Sequence, residues 1–357
     1  MNATFLDARL QKRKDQGLLR TLQPTTGLID LTSNDYFGFA KDCDGIKGSD
    51  SSGATGSRLL TGNYPLYEEL EERIAEFHRA ESCLIYNSGY TANLGLLSAL
   101  GTDSVNFLYD LEIHASMIDG VHLSDAKHFP FRHNDLDSLE SRLKKVSLPA
   151  FVLVESIYSM SGDFAPLAEI AVLCTKYEAH LIVDEAHATG ICGLNGEGLV
   201  SELRLESQVF ARVHTFSKAL GAHGACVLGS NTLKKYLVNF SRPLIYTTAL
   251  PATTLISIES KYERLKREAQ IQQQRLKSLT TYFCKKTGVE NIQSPIKPIY
   301  ISGVEKLRSL SQRLKAKGLD VRAIVTPTVP RGRECLRVVL HSFNREEEID
   351  QLVEVLP

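Results

Sequence analysis

Neither sign of charge prevails in this sequence: 41 Lys and Arg stand against 42 Asp and Glu over 357 residues. That balance argues against the basic surface by which a protein holds nucleic acid or an anionic membrane. No apolar run is long enough to cross a bilayer, and the opening MNATFLDARLQKRKDQGLLR is too polar for a secretory signal. The seven cysteines, Cys43, Cys83, Cys174, Cys192, Cys226, Cys284 and Cys335, are odd in number and never spaced as CxxC. Reduced thiols in a soluble cytoplasmic protein are expected, rather than a disulfide framework or a zinc cluster. The histidines show no metal-ligand spacing, so no metal is expected. No internal repeat or low-complexity segment is found. The sequence also lacks any Gly-Lys dipeptide, the centre of a GxxxxGK[ST] phosphate loop.

Hydrophobic residues make up 43% of the chain, enough for a sizeable core. Residues 1–30 read as an N-terminal helical segment with Phe5, Leu6, Leu10, Leu18 and Leu19 as its apolar face, leading to a short strand in LIDLTS. Residues 31–262 alternate apolar runs with helical patterns, the pattern of a mostly parallel sheet covered on both faces. The charged stretch ESKYERLKREAQIQQQRLKSLTTYF predicts a long helix leading into a smaller C-terminal α/β domain over 263–357.

Five apolar runs of the middle region end on polar residues. CLIYNSGY ends at Asn87, Ser88 and Gly89; NFLYDLEIH leads to Asp110 and His114; FVLVESIYS carries Glu155 and Ser159. LIVDEAH closes on Asp184 and His187, and RVHTFSK on Thr215, Ser217 and Lys218. Runs apolar on both faces fit buried parallel strands, and ligands of such sheets collect beyond the strands' carboxyl ends. The five clusters are therefore expected to share one cleft.

The chemistry of the set selects a ligand. A helix beginning at Gly89 and Tyr90 offers open amides to an anion, and Thr215 adds a hydroxyl. Asp184, at the end of an apolar strand, needs a positive partner, which a pyridinium N–H supplies. Lys218, next to an apolar strand and a run of small residues, can condense with an aldehyde. Gly221 and Gly224 are expected to let the backbone lie close to a flat ring. Phosphate, pyridine nitrogen and aldehyde together describe pyridoxal 5′-phosphate.

SNDYFGFA, GSRLLTGNYPLYEELEERIAEF, NSGYTANLGLL, HASMIDG, VLVESIYSMSGDFAPLAEI, VDEAHATGICGLNGEG, HTFSKALGAHGACVLGS, IYTTALP and TPTVPRGRECLRVVL occur in that order. Together they resemble the α-oxoamine synthases from about Arg20 to the end. The resemblance implies an α/β, aspartate aminotransferase-like fold-type I transferase and a homodimer that condenses an amino acid with an acyl thioester. It implies that Lys218 is the Schiff-base lysine and the base for the α-proton, that Asp184 pairs with the ring nitrogen, and that His187 bonds the ring's phenolic oxygen. His114 would stack on the ring, Ser159 lie beside it, and Gly89, Tyr90 and Thr215 hold the phosphate end. Thr247 and Thr248 would reach the phosphate of the partner subunit. Arg337 would clamp the substrate carboxylate, with Arg20 and Asn34 as further substrate contacts.

TPTVPRG and FRHND tilt the resemblance toward members that use L-alanine and a pimeloyl thioester, carried by CoA or acyl carrier protein. Glycine with acetyl- or succinyl-CoA, and serine with a long-chain acyl thioester, are the alternatives. Two departures stand out: Ala54-Thr55 where many relatives carry two glycines, and Phe37 where leucine is common. The letters Asp184-Glu185-Ala186-His187 also spell a helicase DEAH box, a reading opposed by the missing phosphate loop; a catalytically silent subunit is opposed by Lys218 and its partners. The role of Glu155 stays open.

Overall fold

The computed structural model describes residues 4–20, 22, 27–41, 52–290 and 293–357. Cys43 lies outside them; the other six cysteines are free thiols. Along the chain the elements begin with α1 (Thr4–Asp15), β1 (Ile29–Asp30), α2 (Pro65–Phe77), β2 (Ser82–Tyr86), α3 (Gly89–Leu100), β3 (Asn106–Asp110) and α4 (Ala115–His122). Then come β4 (Lys127–Phe131), α5 (Leu136–Leu143), β5 (Ala150–Glu155), α6 (Leu167–Lys176), β6 (His180–Asp184), α7 (Leu199–Glu202), β7 (Ala211–Thr215) and β8 (Ala225–Gly229). They are followed by α8 (Asn231–Phe240), α9 (Arg242–Ile245), α10 (Ala252–Thr287), β9 (Ile296–Tyr300) and α11 (Val304–Ala316). β10 (Leu319–Asp320), β11 (Arg322–Ile324), β12 (Cys335–Val339) and α12 (Glu346–Val353) complete the order.

Contacts divide the chain into two units. Asn34–Ser278 with His341–Phe343 forms the larger; Met1–Ser33, Leu279–Leu340 and Asn344–Pro357 form the smaller. The division therefore falls inside α10 rather than at 262, and the N-terminal residues group with the C-terminal ones.

The larger unit holds a seven-stranded sheet in the order β2-β8-β7-β6-β5-β3-β4. Neighbours from β7 through β4 are parallel, whereas β8 runs antiparallel to both β2 and β7. Two reversals restore direction, so β2 points the same way as β7. The carboxyl ends of β2, β3, β5, β6 and β7 consequently share one edge. The central strands β5 and β6 are β-branched and aliphatic on both faces: Val152, Leu153, Val154, Leu181, Ile182 and Val183 are all 0% exposed. Each such side chain contributes about 1.5–3 kcal/mol relative to exposure, which anchors the strand ends against drift.

The smaller unit contains the antiparallel sheet β11-β12-β9 and the parallel pair β1-β10. Its α1 departs from expectation. Gly17 sits at φ 64°, and the amides of Gly17 and Leu18 bond back to Lys14 and Arg13 at 2.8 and 2.7 Å. This left-handed glycine cap ends the helix. Leu18 and Leu19 are thereby cut off from the helix, and none of its residues is buried, so it presents no apolar face to a core.

The Ala54-Thr55 departure has a backbone consequence. Thr55 holds φ 55°, in the left-handed region that glycine occupies without a Cβ clash. A β-branched residue there costs about 1–3 kcal/mol. Replacing Thr55 with glycine is expected to stabilise the protein by about 1 kcal/mol after glycine's larger unfolded-state entropy is counted. Thermal unfolding of the variant checks this: a rise in Tm is predicted, and a fall would contradict the strain.

Candidate active site

β6 delivers Asp184 to the shared edge, 5% exposed. Its Oδ1 accepts the Ala186 amide at 2.8 Å, and its Oδ2 accepts Asn93 Nδ2 at 2.7 Å. Glu155 stands opposite Asp184 in the β5–β6 register, 2% exposed, with one carboxyl oxygen buried and without a hydrogen-bond partner. Two adjacent acids cannot both keep a charge in such a place. Burial, then the charge of Asp184, pushes Glu155 well above the ordinary carboxylate range, with Lys218 opposing. Glu155 is thus pushed toward its neutral form, beside an acid that accepts two N–H donors.

Side chains alternate across a strand, so the next residue points elsewhere. Glu185 is 0% exposed, accepts the Val200 amide at 3.2 Å, and lies where a Cβ on Gly198 (φ 110°) would collide with it. Burial raises it to about 7 against the pull of Arg212. The DEAH spelling therefore splits between the cavity and the core, which leaves the motor reading without a site.

The helix α3 starts where β2 ends. Ser88 caps it: Ser88 Oγ accepts the Thr91 amide at 3.2 Å, and Thr91 Oγ1 accepts the Ser88 amide at 3.0 Å. This reciprocal cap leaves the first amides, Gly89 and Tyr90, facing outward from the helix end. Gly89 lies against Thr215, whose Oγ1 is 3.0 Å from Ser217 Oγ. The Tyr90 ring is 43% exposed and its hydroxyl donates to Asp119.

Gly89, Tyr90, His114, Asp184, His187, Thr215 and Lys218 line one cavity of about 230 Å³, together with Asn93, Ser116 and Glu155. Lys218 is half-buried there. His187 is 4% exposed, with its Nδ1 2.5 Å from the Tyr36 hydroxyl. His114 caps α4, and its outer edge is exposed. Desolvation of its ring lowers its pKa, Asp184 opposing and Lys218 reinforcing.

Other expectations land elsewhere. Ser159 follows β5 but does not line the cavity; its amide faces the Glu155 carboxyl. Thr247 is half-buried and Thr248 exposed, its carbonyl accepting Asn87 Nδ2 at 2.9 Å; neither lines this cavity. Asn34 belongs to the larger unit and accepts the Tyr36 amide at its carbonyl. Arg20, bonded to Thr328 Oγ1 at 3.2 Å, and Arg337, buried on β12, belong to the smaller unit. Gly221 and Gly224 do not make room for a ring. A Cβ on Gly221 would strike the Phe39–Ala40 backbone, and one on Gly224 would crowd Leu250, Phe216 and Tyr86, so both serve chain packing. Sequence reasoning missed Asn93, Ser116 and Tyr36. Asn93 was findable, because i+4 from Gly89 faces the same side of the helix; Tyr36 carries no local signal. Among the described residues, no group of three or more His, Cys, Asp and Glu is arranged to hold a metal ion.

A family model for aminotransferase class I and II matches residues 26–356. A putative 8-amino-7-oxononanoate synthase of Geobacillus kaustophilus is 40% identical over 347 residues, covering 92% of this chain and 88% of that one. A solved serine palmitoyltransferase from S. paucimobilis, with a bound PLP–myriocin aldimine, superposes with a TM-score of 0.90 at 28% identity, over 98% of this chain and 95% of that one. A solved 8-amino-7-oxononanoate synthase from Francisella tularensis gives 0.81 at 28% identity, over 93% and 97%.

His133 ties the strand ends around this cavity. Its Nδ1 is 2.9 Å from Asp110 Oδ1 at the end of β3, and its Nε2 is 2.7 Å from Asp163 Oδ2 in the segment after Ser159. Burial disfavours its charge, but the two carboxylates outweigh that and hold it up to about 10. The folded pKa exceeds the unfolded 6.5, so this stabilisation is complete below pH 6.5 and is lost as pH rises toward 10. Thermal unfolding of wild type and His133→Gln across that range should show a Tm gap that narrows with rising pH. A constant or widening gap would contradict the charged staple.

Proposed function

The chain belongs to the aminotransferase class I and II family, in its α-oxoamine synthase branch, and from that premise we propose that it makes 8-amino-7-oxononanoate for biotin synthesis. The substrates are L-alanine and a pimeloyl thioester of CoA or acyl carrier protein. Alanine's α-carbon bonds to the thioester carbonyl carbon, the thiol carrier departs, and alanine's carboxyl leaves as CO2. The observation that carries this reading is the convergence of Lys218, Asp184 and the α3 N-terminus on one cavity.

The donor set fits pyridoxal 5′-phosphate: a buried acid, an amine, and helix-start amides with a neighbouring hydroxyl stand in one cavity. When bound, that cofactor supplies an aldehyde for amines and a ring that stabilises a carbanion beside the joined nitrogen. Asp184 would hold the ring nitrogen's proton, its carboxyl aimed by Asn93 and Ala186. The amides of Gly89 and Tyr90 with Thr215 would bind the phosphate. His187, steadied by Tyr36, would face the phenolic oxygen; Ser159 is proposed to lie beside the cofactor, and His114 would cover one side of the ring. Lys218 Nζ would hold the cofactor's aldehyde and would accept the α-proton of bound alanine. Arg337 is the proposed carboxylate clamp, with Arg20 and Asn34 as further substrate contacts. The working form is a cytoplasmic homodimer in which Thr247 and Thr248 reach the neighbouring protomer's phosphate. No described helix is long and apolar enough to cross a membrane.

The likeness to serine palmitoyltransferase, at TM-score 0.90, keeps serine with a long-chain thioester as the second reading. Assaying alanine, glycine and serine against pimeloyl, acetyl, succinyl and palmitoyl thioesters, with thiol release measured, separates them. Alanine with pimeloyl thioester should be fastest, and Lys218→Ala should lose about 10³-fold or more and no longer fix the yellow chromophore on borohydride treatment. Glycine or serine outperforming alanine with every donor would overturn the substrate assignment; chromophore fixed in Lys218→Ala would overturn the lysine.

A further inference from the structure

The hydrogen bonds leading to His114 run in one direction. Asn93 is 1% exposed, and its amide nitrogen donates to Asp184 Oδ2 at 2.7 Å and to Ser116 Oγ at 3.0 Å. The carboxyl acceptor settles which end of the amide faces it, and Asn93 Oδ1 is left buried without a partner. Ser116, 0% exposed, accepts at Oγ and keeps a hydroxyl proton to donate; that oxygen lies 2.8 Å from His114 Nδ1. The backbone N–H of Ser116 donates to the same ring nitrogen at 3.2 Å. A backbone N–H needs a lone pair on Nδ1, so that atom carries no proton of its own and the Ser116 hydroxyl is the donor to it.

We propose that Asn93 and Ser116 are positioning residues that hold His114 as the neutral imidazole with its proton on Nε2, and that they link its orientation to that of Asp184. The purpose rests on the reading that the cavity holds pyridoxal phosphate: an uncharged ring can lie against a cationic pyridinium, whereas a protonated one would repel it. Every neighbouring element bears on the balance. Asp184 from β6 and Asp119 within α4 favour a proton on His114; burial and Lys218 disfavour it. Asp119 is itself engaged by the Tyr90 hydroxyl from α3, and Glu155 on β5 faces the backbone amide of His114. The relay decides the position of the one proton that remains.

Nitrogen-15 histidine NMR of the full chain tests this, with His114→Gln identifying the signal. In the cofactor-free protein the wild type should show the Nε2–H tautomer, titrating below the ordinary histidine range. Ser116→Ala removes one donor and should raise the midpoint by about half a unit to one unit. Asn93→Ala should raise it too, by freeing the Ser116 hydroxyl to turn away; if that variant does not fold, Ser116→Ala alone decides. An Nδ1–H tautomer in wild type, or an unmoved midpoint in Ser116→Ala, overturns the proposal. Cofactor absorbance, recorded separately on adding pyridoxal phosphate, reports whether the cavity binds it, so failure of the relay and failure of the functional reading give different results.

Discussion

A carboxyl group buried at the end of an apolar strand is the constraint around which the larger unit is organised. Taking such a charge out of water costs several kcal/mol, and one N–H contact does not offset it. Asp184 has two, from Asn93 and the Ala186 amide, while burial and the charge of Asp184 push its neighbour across the β5–β6 register toward the neutral form. What remains is a focused negative site with its open side toward a cavity. On the proposed reading a cationic ring nitrogen would complete it, which is why an amine, a helix start and two histidines are useful around the same cavity of about 230 Å³.

The sheet makes the arrangement possible. Parallel strands bring residues far apart in sequence to one edge, and their aliphatic cores hold those edges in place. At the carboxyl ends of β3, β5, β6 and β7 stand Asp110, Glu155, Asp184 and Thr215. Loops that leave this edge are fastened by ionic hydrogen bonds, as His133 fastens the segments after β3 and β5. Rigid scaffold and fastened loops together keep donors within the tolerance that positional catalysis requires.

Much of this was legible in the sequence. The five polar endings announced the common edge because buried parallel strands are mostly apolar on both faces, although β7 also carries the buried Arg212 and His214 within its run. The charged stretch announced α10. The direction of β8 was not legible: ACVLG reads as another apolar strand, and nothing in it says that it runs against its neighbours. The N-terminal helix ends earlier than its apolar residues suggest, because Gly17 at φ 64° caps it. For Gly221 and Gly224, φ of 63° and 113° and close chain neighbours account for the glycines without a ligand. Tyr36 reaches His187 across 151 positions, a contact that only the folded chain reveals.

The central claim is that the acid on β6 answers a ring cation, and a density map of the crystallised chain with pyridoxal phosphate bound addresses it most directly. The account predicts a flat ring continuous with Lys218 Nζ, its nitrogen within hydrogen-bonding reach of Asp184 and its phosphate at Gly89 and Tyr90. A ring seated elsewhere, or turned so that its nitrogen faces away from Asp184, would contradict it.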